Sequence, residues 1–138
     1  MSSWTRGDKV TAAVLVVVGV GTMYPALGLV DPSTISGAYG LGELQPDVET
    51  LLRHRGAPQL ALGGLLCCAA FVRPMRVPTA LAAIFTKATG FLLSRPTGSL
   101  VPDVSPLTLW FDSCCLVVLT VIAARELLVG RVRRRPNG

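Results

Sequence analysis

Two ionisable side chains stand inside apolar stretches of this sequence, Lys87 within the run Val77 to Ser94 and Asp112 within the run Leu107 to Leu128. A charge in hydrocarbon costs at least ~2.5–3.5 kcal/mol on insertion scales, so such groups turn inward and find a partner. Paired with each other, they fix helix packing. Opened toward a ligand, they become a proton donor and a cationic anchor in a protected cavity. At ~1.5 Å per helical residue, Lys87 lies ~12 Å from an outer edge at Arg95, and Asp112 ~9 Å below Pro106. By the same count Tyr24 lies ~10 Å before Asp31 and Gln59 ~9 Å below Arg53. Four helices are thus predicted to place one polar group each in a common layer. Lys87 shares a helical face with Ala80, Ala83, Gly90 and Ser94, and Asp112 with Ser105, Thr108 and Cys115, so both are expected to point inward.

The roof of that layer would come from LLRHR. His54 is the single histidine of the chain, and its titration near pH ~6.5 would respond to the outer side. An interfacial residue among headgroup-binding arginines is the alternative. Asp112, Glu49, His54 and Tyr24 are the acid/base candidates, and Lys87, Arg55, Gln59 and Arg53 the candidates for holding a substrate. Glu49 and Arg53, spaced i, i+4, could instead pair on the helix surface for only ~0.2–0.5 kcal/mol. The adjacent pairs Cys67, Cys68 and Cys114, Cys115 lack CxxC spacing, and with one histidine in the chain they read as small packing residues, with no metal expected. Serine-hydrolase, zinc-peptidase, P-loop and dinucleotide motifs are absent, so no cofactor is expected.

The elements that must position these groups follow from composition. The 138 residues are 51% hydrophobic and 15% charged, where a soluble domain has about a quarter charged, and mean hydropathy is +0.56. This predicts a single all-α membrane domain, an integral four-helix bundle with spans at about 10–30, 48–72, 77–94 and 107–128 and a basic tail at 129–138. Asp47 is the expected N-cap of the second helix, and Pro58 is expected to kink it. Arg6, Lys9, Arg73, Arg76, Arg125, Arg131, Arg133, Arg134 and Arg135 fall on one side of this topology, against Arg53, Arg55 and Arg95 on the other. The bias puts both termini in the cytoplasm, as in a multi-pass protein of a bacterial inner membrane. A rival reading takes Arg6 and Lys9, the apolar run Val10 to Met23 and the following YPALG as a cleaved secretory signal, which the apolar stretch Leu27 to Val30 disfavours. The RVRRRP tail suits anionic lipid rather than nucleic acid. The first outer loop, Asp31 to Pro46, carries Ile35, Tyr39, Leu41 and Leu44 and could close over the bundle as a lid.

The stretches MYPALG, DVETLLRHRGAPQLALGGLL and WFDSCCLVVL resemble a group of small bacterial four-span membrane proteins with an LLRHR motif, matched here by Arg53, His54, Arg55 and Asp112. Such proteins are sometimes mislabelled phosphopantetheine adenylyltransferases, a soluble nucleotide-binding activity that these residues do not support. Lys87 departs from the group's pattern. Two functions are therefore expected. One is a metal-independent, terpene cyclase-like isomerase or cyclase acting on a lipophilic, isoprenoid-like epoxide or alkene in the bilayer. The other is a noncatalytic subunit or scaffold whose Lys–Asp pair is structural and which binds a membrane or soluble protein partner.

Overall fold

The computed structural model describes residues 4–31, 33–36, 45–93 and 106–133. All regular structure among them is helical. α1 spans Arg6–Thr22, a 3-10 turn covers Tyr24–Leu29, and α2 is the four-residue Ser33–Ser36. α3 runs Pro46–Phe71, a 3-10 turn covers Arg73–Met75, α4 runs Arg76–Leu93 and α5 runs Pro106–Arg133. α3 packs on α1 and α4, and α4 packs on α5, so the four long helices alternate in direction. The N-terminal turn of α1 and the C-terminal part of α5 meet at one end of the bundle, here the terminus end. The turn Tyr24–Leu29 and the start of α3 lie at the opposite, loop end.

Local chemistry accounts for most helix limits. Thr5 caps α1 in a capping box: its hydroxyl accepts from the Asp8 N–H at 3.3 Å, and the Asp8 carboxylate accepts from the Thr5 N–H at 3.1 Å. Pro25, which has no N–H to donate, stands where α1 tightens into its 3-10 turn. The expected cap at Asp47 is corrected: Gln45 occupies that position without a side-chain bond, Pro46 fills the first turn with its preset φ, and Asp47 lies inside the helix. α3 continues through Pro58 as one element. α5 extends to Arg133, beyond the expected limit at residue 128. Asp31 accepts from the Ser33 hydroxyl at 2.7 Å and its N–H at 2.9 Å, and these bonds hold its carboxyl below the usual carboxylate range. The rest of the expected lid, with Tyr39, Leu41 and Leu44, and the second outer loop lie outside the described residues.

Leu15, Leu66, Leu119, Ala69, Ala80 and Ala83 are fully enclosed and form the centre of the core. α1 and α3 meet backbone to backbone. A Cβ on Gly63 would stand 2.5 Å from the Gly19 carbonyl oxygen, and one on Gly19 would stand 2.8 Å from the Gly63 carbonyl oxygen. Only two glycines allow that approach. Every long helix exposes large apolar side chains: Val17 and Val20 on α1, Leu65 on α3, Phe85 on α4, and Trp110 and Val117 on α5. Among the described residues two stretches, Arg6–Leu29 and Leu109–Gly130, are long and apolar enough to cross a membrane, and only 33% and 22% of their apolar windows are buried within the bundle. A core helix of a soluble protein would be mostly buried.

Candidate functional site

Lys87 and Asp112 face each other between α4 and α5. The Lys87 Nζ donates to the Asp112 Oδ1 at 2.6 Å and stands 5.1 Å from the centroid of the Phe111 ring. Lys87 is enclosed, while the Asp112 side chain remains 29% exposed. The helical face predicted for Lys87 is the one that packs, since Ala80 and Ala83 on it are fully buried. Contact at this distance puts the two charged groups at one level of the bundle, and each satisfies the other.

The remaining predicted site residues are not gathered around that pair. Tyr24 is 48% exposed on its 3-10 turn, and His54 is exposed on α3. Glu49 accepts from Arg53 at 2.8 Å on the helix surface, and Arg53 also donates to the Leu29 carbonyl at 3.2 Å, tying α3 to the turn beside it. Gln59 is half-buried and Arg55 exposed. Among the described residues, no hydrogen bond joins Tyr24, His54, Glu49 or Gln59 to Lys87 or Asp112. Hydrogen bonding thus joins one pair from two helices, while Glu49 and Arg53 are paired with each other on α3 at the loop end.

A second charged cluster, at the terminus end, went unpredicted. Arg76, the first residue of α4, is fully buried. Its Nη1 donates to the Asp8 Oδ1 at 3.2 Å and the Glu126 Oε1 at 3.1 Å, and its Nη2 donates to the Ala70 carbonyl at 3.2 Å. Arg73 donates to the other Asp8 oxygen at 2.6 Å, and Arg125 donates to Glu126 at 3.3 Å and the Thr11 hydroxyl at 2.9 Å. One guanidinium thus binds α1, the end of α3 and α5 to α4. The Trp4 ring covers it 5.9 Å away and also contacts Phe71, while the Arg76 Nε is buried without a partner. The available sequence signal was the placement of Asp8 and Glu126, the two acids near opposite ends of the chain, beside runs rich in arginine.

Between α1 and α5 the bundle is open. A groove of about 540 Å³ is lined by Val10, Val14, Val118, Val121 and Ile122, with Arg6 and Arg125 at its terminus end. Val14 and Val118 also line a second hollow of about 320 Å³, which continues toward Phe111 and Cys114. Cys67, Cys68, Cys114 and Cys115 are free thiols; Cys115 is buried in the core and Cys67 packs against the backbone of α1. The described residues hold no group of three or more His, Cys, Asp or Glu that could bind a metal. No family model, curated protein or solved structure matches the chain.

Proposed function

We propose that this chain is a four-span integral membrane protein with both termini on the cytoplasmic side, and that it serves as a noncatalytic subunit or scaffold. The observation that carries this reading is the direct Lys87–Asp112 contact at 2.6 Å, with Tyr24, Glu49 and His54 engaged or exposed elsewhere. An ammonium and a carboxylate that neutralise each other serve packing. Proton transfer to a substrate needs them within reach of a third group.

The membrane reading rests on the large apolar side chains that all four long helices expose, where a bundle in water would carry polar ones. It also rests on charge placement: Arg6, Lys9, Arg73, Arg76 and Arg125 all lie at the terminus end, as expected of a cytoplasmic face in a bacterial inner membrane. α1 belongs to the mature protein on this reading, because Leu15, Val18 and Gly19 complete the core. The basic tail meets anionic lipid, and the exposed faces are available to a protein partner.

The isomerase or cyclase reading keeps one supporting observation, the 29% exposure of the Asp112 side chain beside Phe111. One experiment separates the two. Cells expressing the wild type, Asp112→Asn, or Lys87→Met with Asp112→Leu are compared by prenyl-lipid profile and by detergent stability of the purified protein. The subunit reading expects identical lipid profiles and a stable double variant. A lipid product made by the wild type and lost in Asp112→Asn, with folding intact, overturns it.

A further inference from the structure

We propose that the groove between α1 and α5 is a binding site for an anionic phospholipid, with an acyl chain along the valine-lined channel and the headgroup phosphate on Arg6 and Arg125. This rests on the membrane reading above and adds to it a specific ligand class and position. Three observations converge. First, the channel and the hollow that continues it run from Arg125 to Phe111, fourteen residues of α5 or ~21 Å, enough for the depth of one leaflet of a ~30 Å hydrocarbon core.

Second, the charges at the groove's end complement a phosphate. Asp8 and Glu126 are shared among the guanidinium groups of Arg73, Arg76 and Arg125, and with Arg6 beside them four cations face two carboxylates, which leaves the groove's end with a net positive charge. Arg125 is held in place by its bond to Thr11 and still keeps 40% of its side chain exposed. Its guanidinium lies over Gly7, where any side chain would collide with it. An oriented, partly desolvated arginine beside a second, exposed one is suited to a phosphate diester.

Third, the lining argues against a helix as the occupant. Close helix pairs in membranes use small residues, and this chain spends its own on Gly19 against Gly63 and on Ala80 and Ala83. In the groove the small residues Gly7 and Thr11 are covered by Arg125, and the rest of the wall presents Val10, Val14, Val118, Val121 and Ile122, branched side chains that leave a rounded apolar channel. A flexible acyl chain conforms to such a wall.

The test uses the full chain in dodecylmaltoside, titrated with dioleoylphosphatidylglycerol or dioleoylphosphatidylcholine and read by native mass spectrometry. The wild type is expected to prefer phosphatidylglycerol on the order of 25-fold, since each of the two arginines near an anionic lipid contributes about fivefold. Arg6→Gln with Arg125→Gln should abolish the preference. Because Arg125 also belongs to the charged cluster, Arg6→Gln alone is the folding-neutral arm and should cut the preference about fivefold. Val121→Trp, at an exposed position lining the groove, should reduce retention of both lipids. Equal binding of both lipids by the wild type would overturn the proposal. So would a preference lost only in Arg134→Gln with Arg135→Gln, which assigns it to the tail, or a dimer mass abolished by Val121→Trp, which assigns the groove to a second copy. Carbonate extraction of the wild type from membranes distinguishes the failures: a protein released by carbonate sinks the membrane reading itself, whereas an inserted protein without groove-dependent binding sinks only this inference.

Discussion

The terminus end and the middle of the bundle both bury a cation against a carboxylate, but they do so with different reach. Arg76 bonds two carboxylates and a main-chain carbonyl and joins α1, α3 and α5 to α4. Lys87 bonds one carboxylate and joins α4 to α5 alone. A planar guanidinium with five donors can serve several acceptors at fixed angles, whereas an ammonium is a compact point charge on a flexible stem. The first cluster closes the bundle; the second fixes the register of one helix pair. A conspicuous charge in an apolar run is thus no measure of how much architecture depends on it.

The comparison can be broken most directly at Arg76. Arg76→Met deprives Asp8 and Glu126 of a shared partner and is expected to cost about 3–5 kcal/mol, measured by thermal unfolding in detergent. Lys87→Met is expected to cost less, about 1–3 kcal/mol, because the partly exposed Asp112 can turn to water. Adding Asp112→Leu should recover most of that loss, since an apolar pair can replace an ion pair. A larger loss for Lys87→Met than for Arg76→Met would invert the ranking proposed here. Gly63→Ala tests packing without charge: the new methyl must push α1 from α3 and should cost about 1–3 kcal/mol, read in the same melt. His54→Ala, exposed and remote from both clusters, should stay within about 0.5 kcal/mol, and a larger drop would reveal a packing role at the loop end.

Helical content and the four long helices, two of them apolar enough to cross a membrane, were legible because hydropathy and length act locally. Lys87 and Asp112 were legible for a related reason: an isolated charge in hydrocarbon needs a partner, and only one acid stood at a matching depth. Arg76 was not. At a helix end it was counted among the topological charges, and its role depends on the ends of four helices converging, which no local pattern encodes. The layer assigned to Tyr24 and Gln59 was drawn from depth alone, without the rotation about the helix axis that decides which side chains meet. Tyr24 sits on a 3-10 turn, whose residues no longer follow the 3.6-residue period used to place it. Asp47 failed as a cap because Pro46 already supplied the start of α3.

The partners of Arg76 also impose an order on biogenesis. Asp8 leaves the ribosome long before it, but Glu126 follows 50 residues later, which at 5–20 residues per second is a wait of roughly 3–10 s. Until α5 emerges, the nascent chain holds a guanidinium only partly neutralised, so its last helix completes the electrostatics at the start of α4.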